Sequence, residues 1–321
     1  MKAVLFRENG AWNEKLVLEE IELPEPTDDK VQIKIISRPL NPSDKMFING
    51  NYRMKPVLPQ IAGLEGAGLI EKCGNAVDKN LNGKHVIFRT KGTWAEKIEL
   101  YAAQFRIIPD EIPFEVACQL SLNTLTAYAL LERAGLSENQ WLVITAAGSS
   151  VAKQIIQLAR IRKIKSIAIV RNDEIRNSLL KLGAKVVLNS TTQNIEEEIN
   201  EISAGIVVSA VLDAVGGDLG TKMFNIISPF GKIIIYGRLS KDNVSFSNGT
   251  LIYKNLNLEG FGIDHWMNNK SKKQIAAYWK EILELISSKK LQVSYDKTFK
   301  LYDYNDAINY YEQTGKRTLL L

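Results

Sequence analysis

Thiols and imidazoles are almost missing from this chain of 321 residues, which carries two cysteines, Cys73 and Cys118, and two histidines, His85 and His265. Two thiols cannot build a disulfide framework or a four-thiolate zinc site. Two imidazoles argue strongly against a zinc site built on three. Long apolar runs are also absent: nothing reaches the roughly 18 uncharged residues of a membrane helix. The longest candidate, residues 204–212, is short and reads as a buried strand. The N-terminus meets Lys2 and Arg7 early and lacks the apolar stretch of a secretory signal. A cytoplasmic protein with no membrane partner is therefore expected. Charge of one sign is scarce, with 41 basic against 36 acidic side chains and a net +5 spread along the chain. That excess suits an anionic small molecule better than nucleic acid. No internal repeat is visible.

What is present is ordinary globular material, 45% hydrophobic and 24% charged. At roughly 150 residues per domain, two domains are expected. The first third reads as β-rich. Residues 31–35 alternate apolar and polar, and prolines and glycines punctuate the flanks. A small barrel or sandwich follows from that texture. After about residue 115 the pattern changes. Residues 116–133 have helical spacing and end at Gly135, a C-cap residue. Apolar runs at 141–145, 166–170, 185–188, 205–212 and 232–236 then alternate with helical stretches, among them 151–160 and 174–182. This is the β-α-β order of a parallel sheet covered on both faces. The remainder offers one more strand near 256–261, a helix over 271–287 and a short helix over 304–313. An α/β core between a β-rich head and a mixed tail predicts a discontinuous first domain. The expected boundaries are 1–118 and 263–321 for that domain and 119–262 for the inserted one.

One turn carries chemistry. The strand at 141–145 runs into Ala146-Ala147-Gly148-Ser149-Ser150-Val151-Ala152, and a helix follows. Such a turn presents free backbone N–H groups and the positive helix end to a phosphate. The usual G-x-G-x-x-G is replaced by small residues, which still allow close approach. An ordinary βα turn has the same outline, so the second strand matters. Arg171 follows that strand at about the distance where NAD sites hold an acid for the ribose 2′-OH. A guanidinium there suits a 2′-phosphate and points to NADP(H); the alternative is a solvated surface arginine. Asp173 is expected to cap the next helix. Two further strand-end loops, around Gly216-Gly217 and Tyr236-Gly237, face where a cofactor would lie.

Seven segments in register then make the chain recognisable. They are Asn41-Pro42-Ser43-Asp44, Ile48-Asn49-Gly50-Asn51-Tyr52, Gly63-Leu64-Glu65-Gly66-Ala67-Gly68, Asn123-Thr124-Leu125-Thr126-Ala127-Tyr128, the turn 148–152, Val215-Gly216-Gly217 and Leu258-Glu259-Gly260-Phe261. In order and spacing the chain resembles a zinc-free medium-chain dehydrogenase/reductase. Within that group it looks most like the 2-enoyl thioester reductases of the mitochondrial type, with the quinone oxidoreductases as a sister branch.

The resemblance implies an α/β fold, a doubly wound Rossmann sheet inserted in a GroES-like β-rich catalytic domain, with a site in the cleft. It implies a homodimer joined through the last Rossmann strand, near 256–260. It implies NADPH, held by Thr126, Gly148, Ser149, Ser150, Val151, Arg171, Gly216, Tyr236 and Gly237. Zinc-dependent relatives carry Gly-His-Glu where this chain has Gly63-Leu64-Glu65, and leucine cannot ligate a metal. No metal is expected. Reduction of an activated C=C bond then needs another group to stabilise the enolate oxygen and supply a proton. The family position makes Tyr52 the candidate, with packing in a loop as the alternative. Asn41 is placed at the nicotinamide ribose or the substrate, and Asp44 is either a turn or helix cap or a functional group. Gly262 stands where relatives often have an aromatic, so Phe261 and the nearby Trp266 are expected to line the substrate pocket. The implied activity is NADPH-dependent reduction of a 2-enoyl thioester. The alternatives are an NADPH:quinone oxidoreductase and a non-catalytic dinucleotide-binding structural protein.

Overall fold

The strand predicted from the alternation at 31–35 extends over Lys30–Pro39 and organises the first half of the molecule. Val31, Ile33 and Ile35 are buried while Lys34 faces outward. The computed structural model describes residues 1–23, 25–202 and 207–321. It divides into two units, one of 1–122 with 293–321 and one of 123–292.

In the first unit, Lys30–Pro39 lies inside a seven-stranded sheet. It pairs antiparallel with Gly66–Cys73, with Lys97–Tyr101 and with the tail strand Thr318–Leu320. A separate three-stranded sheet joins Val17–Glu20, Lys2–Phe6 and Gln60–Ile61. Between them sits an aromatic-rich core that includes Phe6, Trp12, Phe47, Trp94 and Tyr304. Arg38 is buried in this unit. Its guanidinium donates to the carbonyls of Ala95 at 2.7 Å and Thr93 at 3.1 Å, among others. Burial pulls its proton affinity down, to about 10, which still leaves it charged.

The second unit is a six-stranded, all-parallel sheet. Its spatial order is Val186–Asn189, Lys165–Val170, Trp141–Ile144, Val208–Asp213, Lys232–Ile235, Asn257–Gly260. In chain order this is 3-2-1-4-5-6, the doubly wound arrangement. The order reverses between Trp141–Ile144 and Val208–Asp213, and ligands in such sheets bind beyond the carboxyl ends at that point. The start of the strand expected over 205–212 lies outside the described residues. Asn257–Gly260 is an edge strand, paired on one side with Lys232–Ile235.

Two boundaries differ from the sequence expectation. Residues 263–292, expected in the first domain, belong to the second unit. The reason is a polar and aromatic clamp on the helix Leu125–Ala134. Glu132 accepts from Trp266 Nε1 at 3.0 Å, from Lys270 Nζ at 3.0 Å and from Tyr278 Oη at 3.3 Å. Tyr128 Oη bonds Glu281, and Gln157 and Gln292 exchange two bonds. The helix Lys272–Ser287 starts with a Ser271–Gln274 capping box and buries Trp279, Ile282 and Ile286, each worth roughly 1.5–3 kcal/mol.

The helix expected over 116–133 is also interrupted. A short helix, Phe114–Ala117, is followed by a π-helical turn, Leu120–Thr124, and then by Leu125–Ala134, which ends at left-handed Gly135. The cause is visible at Leu122, whose N–H donates to the Glu65 carboxylate at 3.0 Å. Widened turns of this kind concentrate at functional sites.

Candidate active site

The second unit builds a tight strand–turn–helix from its first strand. After Trp141–Ile144 the chain turns through Ala146, held in the left-handed region at φ 47°. Ser149 then caps the helix Ser150–Ile161, its Oγ accepting from Ala152 N at 3.2 Å. The N–H groups of the first turn are thereby gathered at the positive helix end. A Cβ on Gly148 would lie 2.7 Å from Ile175 Cδ1, the movable tip of a side chain that would have to shift to admit it.

Asp213, buried at the end of its strand, braces the neighbouring loop. It accepts from Thr145 Oγ1 at 2.6 Å, Val215 N at 2.9 Å and Gly216 N at 3.0 Å. Gly216 and Gly217 both have positive φ, 75° and 56°. The loop after Lys232–Ile235 packs directly on this one. A Cβ on Gly237 would meet the Ala214 carbonyl oxygen at 2.6 Å. Tyr236 Oη is buried with no hydrogen-bond partner among the described residues. Burial raises its proton affinity well above the usual phenol, and Ser149 acts in the opposite direction. A buried phenol donor beside the Ser149 helix cap fits a phosphate oxygen.

Arg171 is exposed and makes no ion pair among the described residues. Thr191 Oγ1 fixes its backbone carbonyl at 2.9 Å. Asp173 does not cap the following helix, whose N-cap is Ile175. Its carboxylate instead takes bonds from Arg176 Nε at 2.9 Å and Asn189 Nδ2 at 2.7 Å, which hold it below the usual carboxylate range. Thr126 is half-buried in the first turn of Leu125–Ala134, and Val151 is half-buried after Ser150.

The two pocket residues separate. Phe261 is half-buried and continues the edge ladder, its N–H donating to Ile235 O at 2.8 Å. Trp266 is buried within the clamp on Glu132, its ring 5.2 Å from that of Tyr278. Packing against Tyr278 and the bond to Glu132 account for the burial of Trp266.

The first unit holds a buried polar network. Asn41 precedes the helix Pro42–Ile48, whose capping box joins it to Asp44; Asn41 N donates to Asp44 Oδ2 at 2.8 Å. The Asn41 side chain donates to Glu65 Oε1 at 2.8 Å and accepts from Arg317 Nη1 at 2.7 Å. Glu65 also accepts from Ser121 Oγ at 2.9 Å. Burial raises the proton affinity of Glu65, against the opposing charge of Arg317. Tyr52 is half-buried against the aromatic core, with the Arg53 guanidinium 5.7 Å from its ring centre. Arg89 lies close enough for Tyr52 and Glu65 to raise its proton affinity against the larger lowering by burial.

Sequence reasoning missed Glu65, Arg317, Arg89, Thr145 and Asp213 as site residues. Glu65 lay inside a segment already singled out, but Arg317 stands 276 residues from Asn41 and no spacing could connect them. Leu64 is buried in the apolar core. Among the described residues no group of three or more His, Cys, Asp or Glu is placed to hold a metal.

Asp44 yields a pH prediction. Burial, with Glu65 adding to it, pushes its carboxyl up to about 8 from the ordinary 3.8. Between those values the folded state keeps a proton that the unfolded state has lost. Asp44 therefore favours folding most at acidic pH, and that contribution is lost as pH rises toward 8, by at most about 1.4 kcal/mol per unit. Asp44→Asn retains an acceptor for Asn41 N. It should flatten the fall in thermal stability between pH 5 and pH 8, as measured by differential scanning calorimetry; equal slopes would remove Asp44 as the source.

Comparison with known proteins adds family evidence. Residues 27–105 match the alcohol dehydrogenase GroES-like domain and residues 151–288 match a zinc-binding dehydrogenase model. The mitochondrial enoyl-[acyl-carrier-protein] reductase of Rattus norvegicus is 28% identical, over 96% of this chain and 84% of its own length. That of Arabidopsis thaliana is 30% identical, over 83% of this chain and 73% of its own length. Among solved structures, the Escherichia coli quinone oxidoreductase complexed with NADPH superposes with a TM-score of 0.89 at 25% identity, covering 100% of both chains.

Proposed function

The chain belongs to the medium-chain dehydrogenase/reductase family, and from that premise we propose that it is an NADPH-dependent reductase of the activated C=C bond of a 2-enoyl thioester. The observation that carries the reading is the match to an enoyl reductase over 96% of this chain, together with a half-buried Tyr52 beside Arg53 and Arg89. NADPH supplies the hydride. Gly148, Ser149, Ser150 and Val151 hold its pyrophosphate, with Tyr236 Oη as an added donor. Gly216 and Gly237 leave room for the backbone to approach, Thr126 contacts the nicotinamide, and Arg171 pairs with the 2′-phosphate. Tyr52 donates a hydrogen bond to the substrate oxygen as negative charge develops there, or passes a proton to the α-carbon. Asn41 orients the ribose or the substrate. Phe261 lines the acyl side.

Arg171→Asp tests the cofactor assignment. A charge-assisted pair is worth about 1.5–3 kcal/mol, so NADPH affinity should fall roughly ten- to hundredfold. NADH affinity should change little. Fluorescence titration reads both, and an equal loss for the two would remove the 2′-phosphate contact.

A second reading, NADPH:quinone oxidoreductase, is favoured by the likeness to the Escherichia coli quinone oxidoreductase structure. The edge position of Asn257–Gly260 supports a homodimer in which two copies pair these strands; sedimentation at several concentrations tests it. Among the described residues no helix is long and apolar enough to cross a membrane. Cytoplasmic location stays part of the proposal, tested by cell fractionation, since the relatives are named as mitochondrial.

A further inference from the structure

A buried guanidinium from the C-terminal tail sits at the centre of the first unit's polar network. Arg317 directly precedes the tail strand Thr318–Leu320, whose Leu319 and Leu320 pair with Pro39 and Arg38. That pairing brings Arg317 against the residues that enter the helix Pro42–Ile48. Its Nη1 donates to Leu40 O at 2.9 Å and to Asn41 Oδ1 at 2.7 Å. Its Nε donates to Gln119 Oε1 at 2.7 Å. Its Nη2 has no hydrogen-bond partner among the described residues and lies 3.8 Å from Glu65 Oε1. The Arg317 side chain is 9% exposed and that of Glu65 is 1% exposed, so this ion pair is shielded from water and salt.

The arrangement reads both ends of one amide. Arg317 can only donate and an ionised Glu65 can only accept. Asn41 therefore has its oxygen toward Arg317 and its nitrogen toward Glu65; a flipped amide would face donor to donor and acceptor to acceptor. We infer that Arg317 is a positioning residue for the reaction: it fixes the orientation of the Asn41 amide and compensates the charge of Glu65, which in turn holds Ser121 and the π-helical turn. The inference rests on the proposed reductase activity and on the place of Asn41 at its site. Lysine cannot substitute, because a single ammonium cannot reach Asn41, Leu40 and Gln119 in the planar fork that arginine provides.

The groups facing Glu65 set how the network responds to pH. Arg317 and Arg89 lower its proton affinity, while burial raises it. Asp44 and Glu65 repel one another, and Tyr311 faces both Asp44 and Arg317. Burial pushes the Cys118 thiol up to about 12, with Glu65 adding to the rise, so it stays neutral. Removal of Arg317 leaves two buried carboxyls with Arg89 still lowering the proton affinity of Glu65, and Glu65 then takes up a proton at higher pH.

The test uses the full chain with NADPH and a crotonyl thioester. In Arg317→Met, kcat should fall about tenfold or more at neutral pH, as expected for a displaced orienting group. The acid limb of the kcat–pH profile should move up by about one to three units. KM for NADPH should change less than kcat, because Arg317 touches none of the residues assigned to the pyrophosphate and 2′-phosphate. Arg317→Met combined with Glu65→Gln removes both charges and keeps an acceptor for Asn41. It should recover stability and part of kcat, with no acid limb from Glu65. An unmoved acid limb in the single variant, or a double variant no better than the single one, overturns the inference. A wild-type enzyme that leaves the thioester untouched instead overturns the activity proposal. The positioning inference is then read from unfolding: stability should fall more steeply with rising pH in Arg317→Met than in the wild type, and equal slopes refute it.

Discussion

Replacement of Tyr52 by phenylalanine is expected to lower kcat on a crotonyl thioester by roughly 10²–10³-fold while leaving NADPH affinity unchanged. General acid–base groups contribute about 10²–10⁴-fold, and loss of one donor to a developing oxyanion costs about 10²–10³. The substitution is clean for a structural reason. The Tyr52 ring packs on the core that contains Phe6, Phe47 and Trp94, and phenylalanine keeps that surface. Only the hydroxyl is removed. Arg53 over the ring and Arg89 nearby give the hydroxyl a cationic setting, which favours negative charge on a bound substrate oxygen. Stopped-flow measurement of NADPH oxidation separates the chemical step from binding. Unchanged turnover at unchanged stability would make Tyr52 a packing residue.

The largest loss of stability is expected for Gly63→Ala. Gly63 has φ +87°, and an added Cβ would lie 2.1 Å from Trp94 Cδ1 and 2.3 Å from Thr93 Oγ1. Trp94 and Thr93 are both fully buried. The Gly63 carbonyl also accepts from Gly92 N at 2.9 Å, so the backbone cannot swing away without a lost bond. Overpacking of a core costs about 1–3 kcal/mol and left-handed strain about 1–3 kcal/mol more. A total near 4 kcal/mol corresponds to a fall in Tm of very roughly 10 °C for a domain of this size. Gly63 lies two residues before Glu65, so kcat should fall as well. A loss below about 1 kcal/mol in calorimetry would show that Trp94 can move aside.

The parts of the molecule that follow from local pattern were the legible ones. Period-two alternation at 31–35 and the alternating strands and helices after 141 gave the two sheets. Gly135 and Gly183 both take the left-handed conformation that ends a helix. Legibility failed where long-range polar contacts override local pattern. The helix through 116–133 breaks because Glu65, far away in sequence, claims the N–H of Leu122. Residues 263–292 join the second unit because Glu132 and Glu281 bind Trp266, Lys270, Tyr278 and Tyr128; amphipathic spacing on Lys272–Ser287 says that a face is buried but not against what. Ser149 and Tyr236 were visible as turn residues, whereas the Asp213 brace requires knowing that two strands far apart in sequence are neighbours. The contacts of Trp266 with Glu132 and Tyr278 were not legible, because only its proximity to Gly262 could be read.

The most direct measurement is NADPH oxidation by the purified full chain, followed in parallel with a crotonyl thioester, a long-chain enoyl thioester and a simple quinone. The thioesters should be reduced with the higher kcat/KM, and Tyr52→Phe should suppress that reduction. Rapid turnover of the quinone with no reduction of either thioester would contradict the assignment and establish the quinone oxidoreductase reading in its place.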